Sequence, residues 1–108
     1  MDLRAVADFT NHVWEDEIVP QLCDYIAIPN KSPLFDKNWA ENGYMEQATQ
    51  LIYSWCAQRK IAGLTLEIVR LEGRTPLIFM EIPAFGSEAD GDTVLLYGHL
   101  DKQPEMVG

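Results

Sequence analysis

Apolar side chains in the first quarter of the chain recur at spacings of three, four and seven residues. These spacings place them on one face of a helix, so residues 3–28 are predicted to be helical. Pro20 falls inside this stretch, and a proline in a helix interior removes a hydrogen bond and clashes with the preceding turn. We therefore expect a kink at Pro20 or a second helix that begins there, followed by a loop over residues 29–33. The apolar positions are Val6, Phe9, Val13, Trp14, Ile18, Leu22, Tyr25 and Ile26.

A further helix is predicted between Asn38 and Gly63. Asn38 followed by Glu41 resembles a capping box, which marks a helix N-terminus. Gly63 stands where a glycine commonly ends a helix, and Arg59 and Lys60 before it complement the helix dipole. The apolar stripe of this helix consists of Tyr44, Ala48, Leu51, Ile52, Trp55 and Cys56.

The period of the pattern changes to two after Gly63. Alternating residues 64–71 and the apolar run 77–82 predict two strands that pair as an antiparallel hairpin. Residues 93–97 are apolar on both faces, which is typical of a central strand covered on both sides. We expect this third strand beside the hairpin, parallel to one of its strands, with the helices on one face. The fold class predicted is therefore α/β.

The composition is globular, with 47% hydrophobic and 23% charged residues among 108. A domain of this length can bury roughly 65% of its unfolded surface, so we expect a core without disulfides. The net charge of -9 argues against a nucleic acid or an anionic membrane surface as partner. Cys23 and Cys56 lie in apolar helical patterns and are expected to be buried thiols in a reducing compartment. With no basic leader and no apolar run of about 20 residues, the chain is expected to be cytoplasmic.

Candidate chemistry is concentrated just after the third predicted strand. The strand ends at Gly98, and His99 and Asp101 follow. Ligands bind at the carboxyl ends of strands in open α/β sheets, and neutral imidazole is a common zinc ligand. A nearby carboxylate can accept the other ring N–H and orient the ring. The pattern predicts a metal site at His99. The alternative is that His99 bonds to a loop carbonyl and Asp101 closes a turn before Pro104.

Other polar candidates favour structural interpretations. His12 lies in a helical pattern and is expected to be an ordinary surface histidine. Glu88, Asp90 and Asp92 are expected to form a solvated loop, although such a loop could bind a hard cation weakly.

The segment Tyr97-Gly98-His99-Leu100-Asp101-x-Gln103-Pro104 resembles the first metal-binding motif of zinc-dependent aminoacylase and carnosinase-type metallopeptidases. Its Gln-Pro is closest to the dipeptidase branch of that family. The order of elements before the motif is compatible with the family, so the resemblance covers nearly the whole chain, but only this segment is specific. Lys102 departs from the family pattern, which has a valine-like residue at that position.

The resemblance implies a zinc aminopeptidase-like catalytic domain of which residues 1–108 are the N-terminal part. His99 would bind one of two zinc ions, and Asp101 would be the catalytic residue that holds its imidazole. The family's bridging aspartate, general base, remaining ligands and dimerisation or lid domain all follow the motif, so they are expected beyond Gly108. The implied substrates are dipeptides or N-acyl amino acids, and the chain alone is expected to be inactive.

A different class of function fits the same chain. It could be a small acidic α/β module that binds a protein partner without catalysis. In either case the sheet is expected to leave an edge with unpaired N–H and C=O groups, and such an edge recruits another chain. We therefore expect self-association.

Overall fold

A computed structural model describes residues 1–86 and 91–108 of the chain. In this part of the chain, three α-helices and one two-stranded antiparallel sheet form a mixed α/β structure. The helices are α1 (Leu3–Val13), α2 (Val19–Ile26) and α3 (Tyr44–Ala57), and the strands are β1 (Thr65–Val69) and β2 (Leu77–Glu81).

The first helical stretch is continuous but changes type in its middle. Asp2 caps α1, since its Oδ1 accepts the N–H groups of Arg4 and Ala5. A π-helical turn over Trp14–Ile18 then joins α1 to α2. Pro20 is the second residue after this turn, and in a regular α-helix its ring would clash with the carbonyl four residues before it. The predicted irregularity at Pro20 is confirmed, because the helix changes type just before this residue.

Helix α3 begins later and ends earlier than predicted. Its N-cap is Gly43, which has a φ of 79°, so the capping box predicted at Asn38 is wrong. The reason is local: Asp36 Oδ1 accepts the Asn38 N–H at 3.0 Å, and the Asn38 carbonyl accepts from Asn42. These bonds make turns instead of a first helical turn. At the other end the helix stops at Ala57, six residues before Gly63, so the predicted glycine cap is also wrong.

The hairpin is confirmed. Strands β1 and β2 pair antiparallel with Thr65 opposite Glu81 and Val69 opposite Leu77. Helix α3 packs against both strands. Just after β1, Arg70 donates from both terminal nitrogens to Glu46 of α3, at 2.6 and 2.7 Å. This bidentate pair links the hairpin to the first turn of the helix.

The third strand is not formed. Residues 93–97 adopt no strand pairing, and the side chains of Val94 to Tyr97 are 85–88% exposed. A strand requires a hydrogen-bonding neighbour, and in the described structure β1 and β2 pair only with each other. The chain instead joins the fold later, through a parallel bridge between Lys31 and Lys102. The apolar pattern of the segment therefore indicates a surface to be buried, without specifying what covers it.

The core is small. The accessible surface is 9040 Å², whereas a compact monomer of this mass exposes about 6,100 Å². The radius of gyration is 17.1 Å, against about 13 Å for a compact chain of this length. Part of the apolar face of the first helical stretch stays exposed, including Val6, Phe9 and Leu22. The expected burial of Cys23 is wrong, since this residue is exposed, whereas Cys56 is buried. The buried residues are Ile28, Asn30, Met45, Ala48, Thr49 and Cys56.

None of the helices in the described ranges combines the length and the apolar character that crossing a bilayer requires.

Candidate functional site

His99 and Asp101 form a hydrogen-bonded pair. Nδ1 of His99 lies 2.9 Å from Oδ1 of Asp101 and 3.1 Å from the main-chain oxygen of the same residue. Both neighbours are acceptors, so Nδ1 carries the ring proton and Nε2 carries the lone pair of the neutral imidazole. The His99 side chain is 61% exposed. The structure therefore brings the sequence-predicted pair together, and Nε2 is the ring nitrogen that takes no part in it.

The electrostatics of the pair favour a basic imidazole. The hydrogen bond to the Asp101 carboxylate, then the bond to its carbonyl and the charge of the carboxylate, raise the pKa of His99. A more basic ring nitrogen is a better metal ligand, which is the usual effect of a carboxylate behind a metal-binding histidine.

The main chain between the pair is held from the end of helix α2. The carbonyl of Leu100 accepts two side-chain hydrogen bonds, one from the Tyr25 hydroxyl and one from Asn30 Nδ2 at 2.8 Å. Asn30 is buried, and its Oδ1 makes no hydrogen bond within the described structure. Burial raises the pKa of the Tyr25 hydroxyl, which therefore stays protonated and able to donate at neutral pH.

Lys102 binds the same helix end. Its Nζ donates to the main-chain carbonyls of Tyr25 and Ile28 and lies 4.0 Å from the centroid of the Tyr25 ring. Its main-chain N–H donates to Asn30 and its carbonyl accepts from Ser32, both at 2.9 Å. Carbonyls at a helix C-terminus lack intrahelical partners and attract cations. The carbonyls of Tyr25 and Ile28 already accept the main-chain N–H groups of Ile28 and Asn30, so the Lys102 ammonium adds a charged donor to each of them. Its partial burial lowers its pKa.

Sequence reasoning missed Tyr25, Asn30 and Lys102 as parts of the site. The sequence pattern places Tyr25 on a helical stripe and Asn30 in a loop, and Lys102 is only a departure from the family motif. Their side chains reach residues between 70 and 77 positions away along the chain. Neither periodicity nor local motifs report pairs so distant.

His12 shows that a histidine–aspartate pair alone is not specific. Its Nδ1 lies 2.7 Å from Asp16 Oδ2, one helical turn away, and both side chains are well exposed. The two pairs differ in how they are held. The His99 pair is attached to a second part of the fold through Leu100 and Lys102, whereas His12 and Asp16 lie on one helical stretch.

The pair is not a complete metal centre. Across residues 1–86 and 91–108, no three His, Cys, Asp or Glu side chains come together as a metal-binding group. Glu88 and Asp90 of the predicted acidic loop lie outside the described residues. The donor set at His99 fits one ligand position of a zinc ion, together with the carboxylate that orients it.

Neither protein-family models nor curated proteins give a significant match to this chain. The interpretation of the site rests on the geometry around His99 and on the motif in which it lies.

Proposed function

We propose that this chain is the N-terminal part of the catalytic domain of a metal-dependent hydrolase with a zinc aminopeptidase-like fold. Its substrates would be dipeptides or N-acyl amino acids, whose amide bonds it cleaves. The observation that supports this most is the 2.9 Å bond from Nδ1 of the mostly exposed His99 to Asp101, in the motif Gly98-His99-Leu100-Asp101, because this bond does not involve Nε2.

In this proposal His99 and Asp101 have different roles. His99 binds zinc through Nε2, and Asp101 holds the ring in the tautomer that frees this nitrogen. When bound, zinc supplies Lewis-acid activation of the amide carbonyl and of the attacking water. A catalytic zinc has about three protein ligands and works with a positioned base. We propose that residues outside these 108 supply them, so this chain by itself is inactive.

The non-catalytic alternative also has an observation in its favour. The accessible surface exceeds that of a compact monomer by roughly half, and the apolar residues Val94 to Tyr97 are almost fully exposed. A surface of this kind favours burial against another chain. We propose that the chain self-associates whichever of the two functions it has. The two free thiols suit a reducing, cytoplasmic location.

The test uses the product of the whole reading frame that contains this segment. It is assayed on a panel of dipeptides and N-acyl amino acids with Zn²⁺ or Mn²⁺. We expect metal-dependent hydrolysis that His99→Ala abolishes, because a lost ligand leaves the metal underbound. His12→Ala is the matched control, since it removes a histidine with the same aspartate pairing, and should retain activity. Hydrolysis that survives His99→Ala would refute the proposal, and so would failure to hydrolyse any member of the panel.

A further inference from the structure

Lys102 occupies an unusual place for a lysine. Its ammonium does not extend into solvent but donates to two main-chain carbonyls at the end of α2, over the face of the Tyr25 ring. Hydrogen bonds from a charged donor are stronger than those between neutral groups. A cation over an aromatic face adds to this attraction. The side chain therefore makes a strong attachment between residues 99–102, called the His99 segment below, and the first helical stretch.

We propose that Lys102 is a positioning residue for the His99–Asp101 pair. The use of this positioning rests on the proposed function, in which His99 binds a metal. Through its side chain it attaches the main chain after Asp101 to α2, and through its main chain it bridges to residues 30–32. Tyr25 and Asn30 do the same for the carbonyl of Leu100, before Asp101. Tyr25, Asn30 and Lys102 together are called the clamp below.

The clamp acts on the residue that orients the ring. His99 Nδ1 bonds both the carboxylate and the main-chain oxygen of Asp101, so the ring follows the backbone position of Asp101. That backbone is fixed on either side by the clamp. The chain before His99 gives no comparable support, because residues 93–97 are exposed and do not pair with either strand of the sheet. The clamp thus holds the chain at Leu100 and at Lys102, on both sides of Asp101.

A purely structural role makes a different prediction. If Lys102 only capped α2, its loss would loosen the helix end and leave the His99 imidazole unchanged. If it positions the pair, its loss weakens the Nδ1 hydrogen bond and lets the ring exchange between its two neutral tautomers. The tautomer is read directly from the ¹⁵N shifts of the imidazole, with no metal present.

The experiment compares Lys102→Met with Lys31→Met. Methionine keeps an unbranched side chain of similar length but removes the positive charge. Lys31 faces Lys102 across the bridge and pairs with Glu105 on the surface at 2.6 Å, so it is a matched control. At a pH where the ring is neutral, we expect a dominant Nδ1–H tautomer in the unchanged protein and in Lys31→Met. In Lys102→Met the Nε2–H form should become prominent. Added Zn²⁺ should bind at His99 about 10-fold more weakly in that variant.

The amide signals of β1 and β2 report whether each variant keeps its fold. Should Lys102→Met lose them, Tyr25→Phe gives the same test by removing only the hydroxyl that donates to Leu100, and it should shift the tautomer in the same direction. An unchanged Nδ1–H tautomer in a folded clamp variant overturns the proposal. Failure of Zn²⁺ to act on His99 in the unchanged protein counts against the proposed function instead, since the tautomer measurement needs no metal.

Discussion

The ammonium group of Lys102 lies 4.0 Å from the centroid of the Tyr25 ring and also donates to the carbonyl of the same tyrosine. The hydroxyl of that tyrosine donates in return to Leu100, two residues before the lysine. One helical residue is therefore bound to the His99 segment at three points. Local opening of the end of α2 and of the His99 segment should be coupled as a consequence.

Two glycines allow backbone strain to be separated from steric contact. Gly43 and Gly63 have φ values of 79° and 78°, where any other residue is strained by about 1–2 kcal/mol. A Cβ at Gly43 would meet nothing within 4 Å, whereas one at Gly63 would lie 3.2 Å from Pro83 Cδ. Gly63→Ala should therefore lower the free energy of unfolding more than Gly43→Ala, measured by urea denaturation at neutral pH. Equal losses would show that the Pro83 contact relaxes freely.

The ion pair between α3 and the hairpin should make stability depend on pH in the acid range. The hydrogen bond from Arg70, then the bond from Gln50, lower the pKa of Glu46. A carboxylate with a lowered folded-state pKa stabilises the fold above its unfolded pKa, and the contribution is lost as the pH falls through the folded value. Both side chains are about half exposed, so solvent screens the pair and its contribution to stability is small.

The measurement is the thermal midpoint of the unchanged protein and of Arg70→Gln, at neutral pH and below pH 4. The difference between the two proteins should be present at neutral pH and shrink in acid. Arg74→Gln is the control, because Arg74 has no ion pair within the described residues. A difference for Arg70→Gln that is independent of pH would argue against this contribution.

Self-association should depend on the exposed apolar segment. Light scattering at high micromolar concentration should give a dimer or a larger species, because Val94 to Tyr97 and the strand edges are open to another chain. Leu95→Asp should weaken the association. Leu34→Asp, at an exposed leucine outside this segment, should weaken it less. A monomer at every concentration would contradict the expectation.

The isolated chain should not hydrolyse dipeptides, with or without Zn²⁺ or Mn²⁺. One imidazole and its orienting carboxylate do not make a catalytic centre, which has about three protein ligands. His99→Ala should leave the free energy of unfolding of this chain nearly unchanged, since the side chain is mostly exposed. Clear metal-dependent turnover by the pure chain, or a loss of several kcal/mol in His99→Ala, would contradict this account.

The features that sequence predicted correctly are local. The alternation around Leu66 and Ile68 identified β1, and the run from Leu77 identified β2, because a hairpin is specified by two strands and the turn between them. Pro20 marked the change of helix type because its missing N–H acts within one turn.

The errors arise where a local signal competes with another or needs a distant partner. Asparagine is a common N-cap residue, but the main-chain N–H of Asn38 donates to the Asp36 carboxylate instead of taking part in a capping box. Residues 93–97 have the composition of a central strand, but pairing depends on a neighbour that their own sequence does not encode. The pairing of His99 with Asp101 followed from their spacing, whereas the clamp joins residues that no local pattern connects.

The most direct test of His99 as a metal ligand is a Zn²⁺ titration of this chain, followed by the imidazole ¹⁵N signals. Both histidines carry an aspartate at Nδ1, so His12 is an internal control in the same spectrum. We predict that Nε2 of His99 shifts at lower Zn²⁺ concentration than Nε2 of His12, and that Asp101→Ala reduces this preference. An equal response of the two histidines, or a response confined to His12, would contradict the assignment of His99 as the metal ligand.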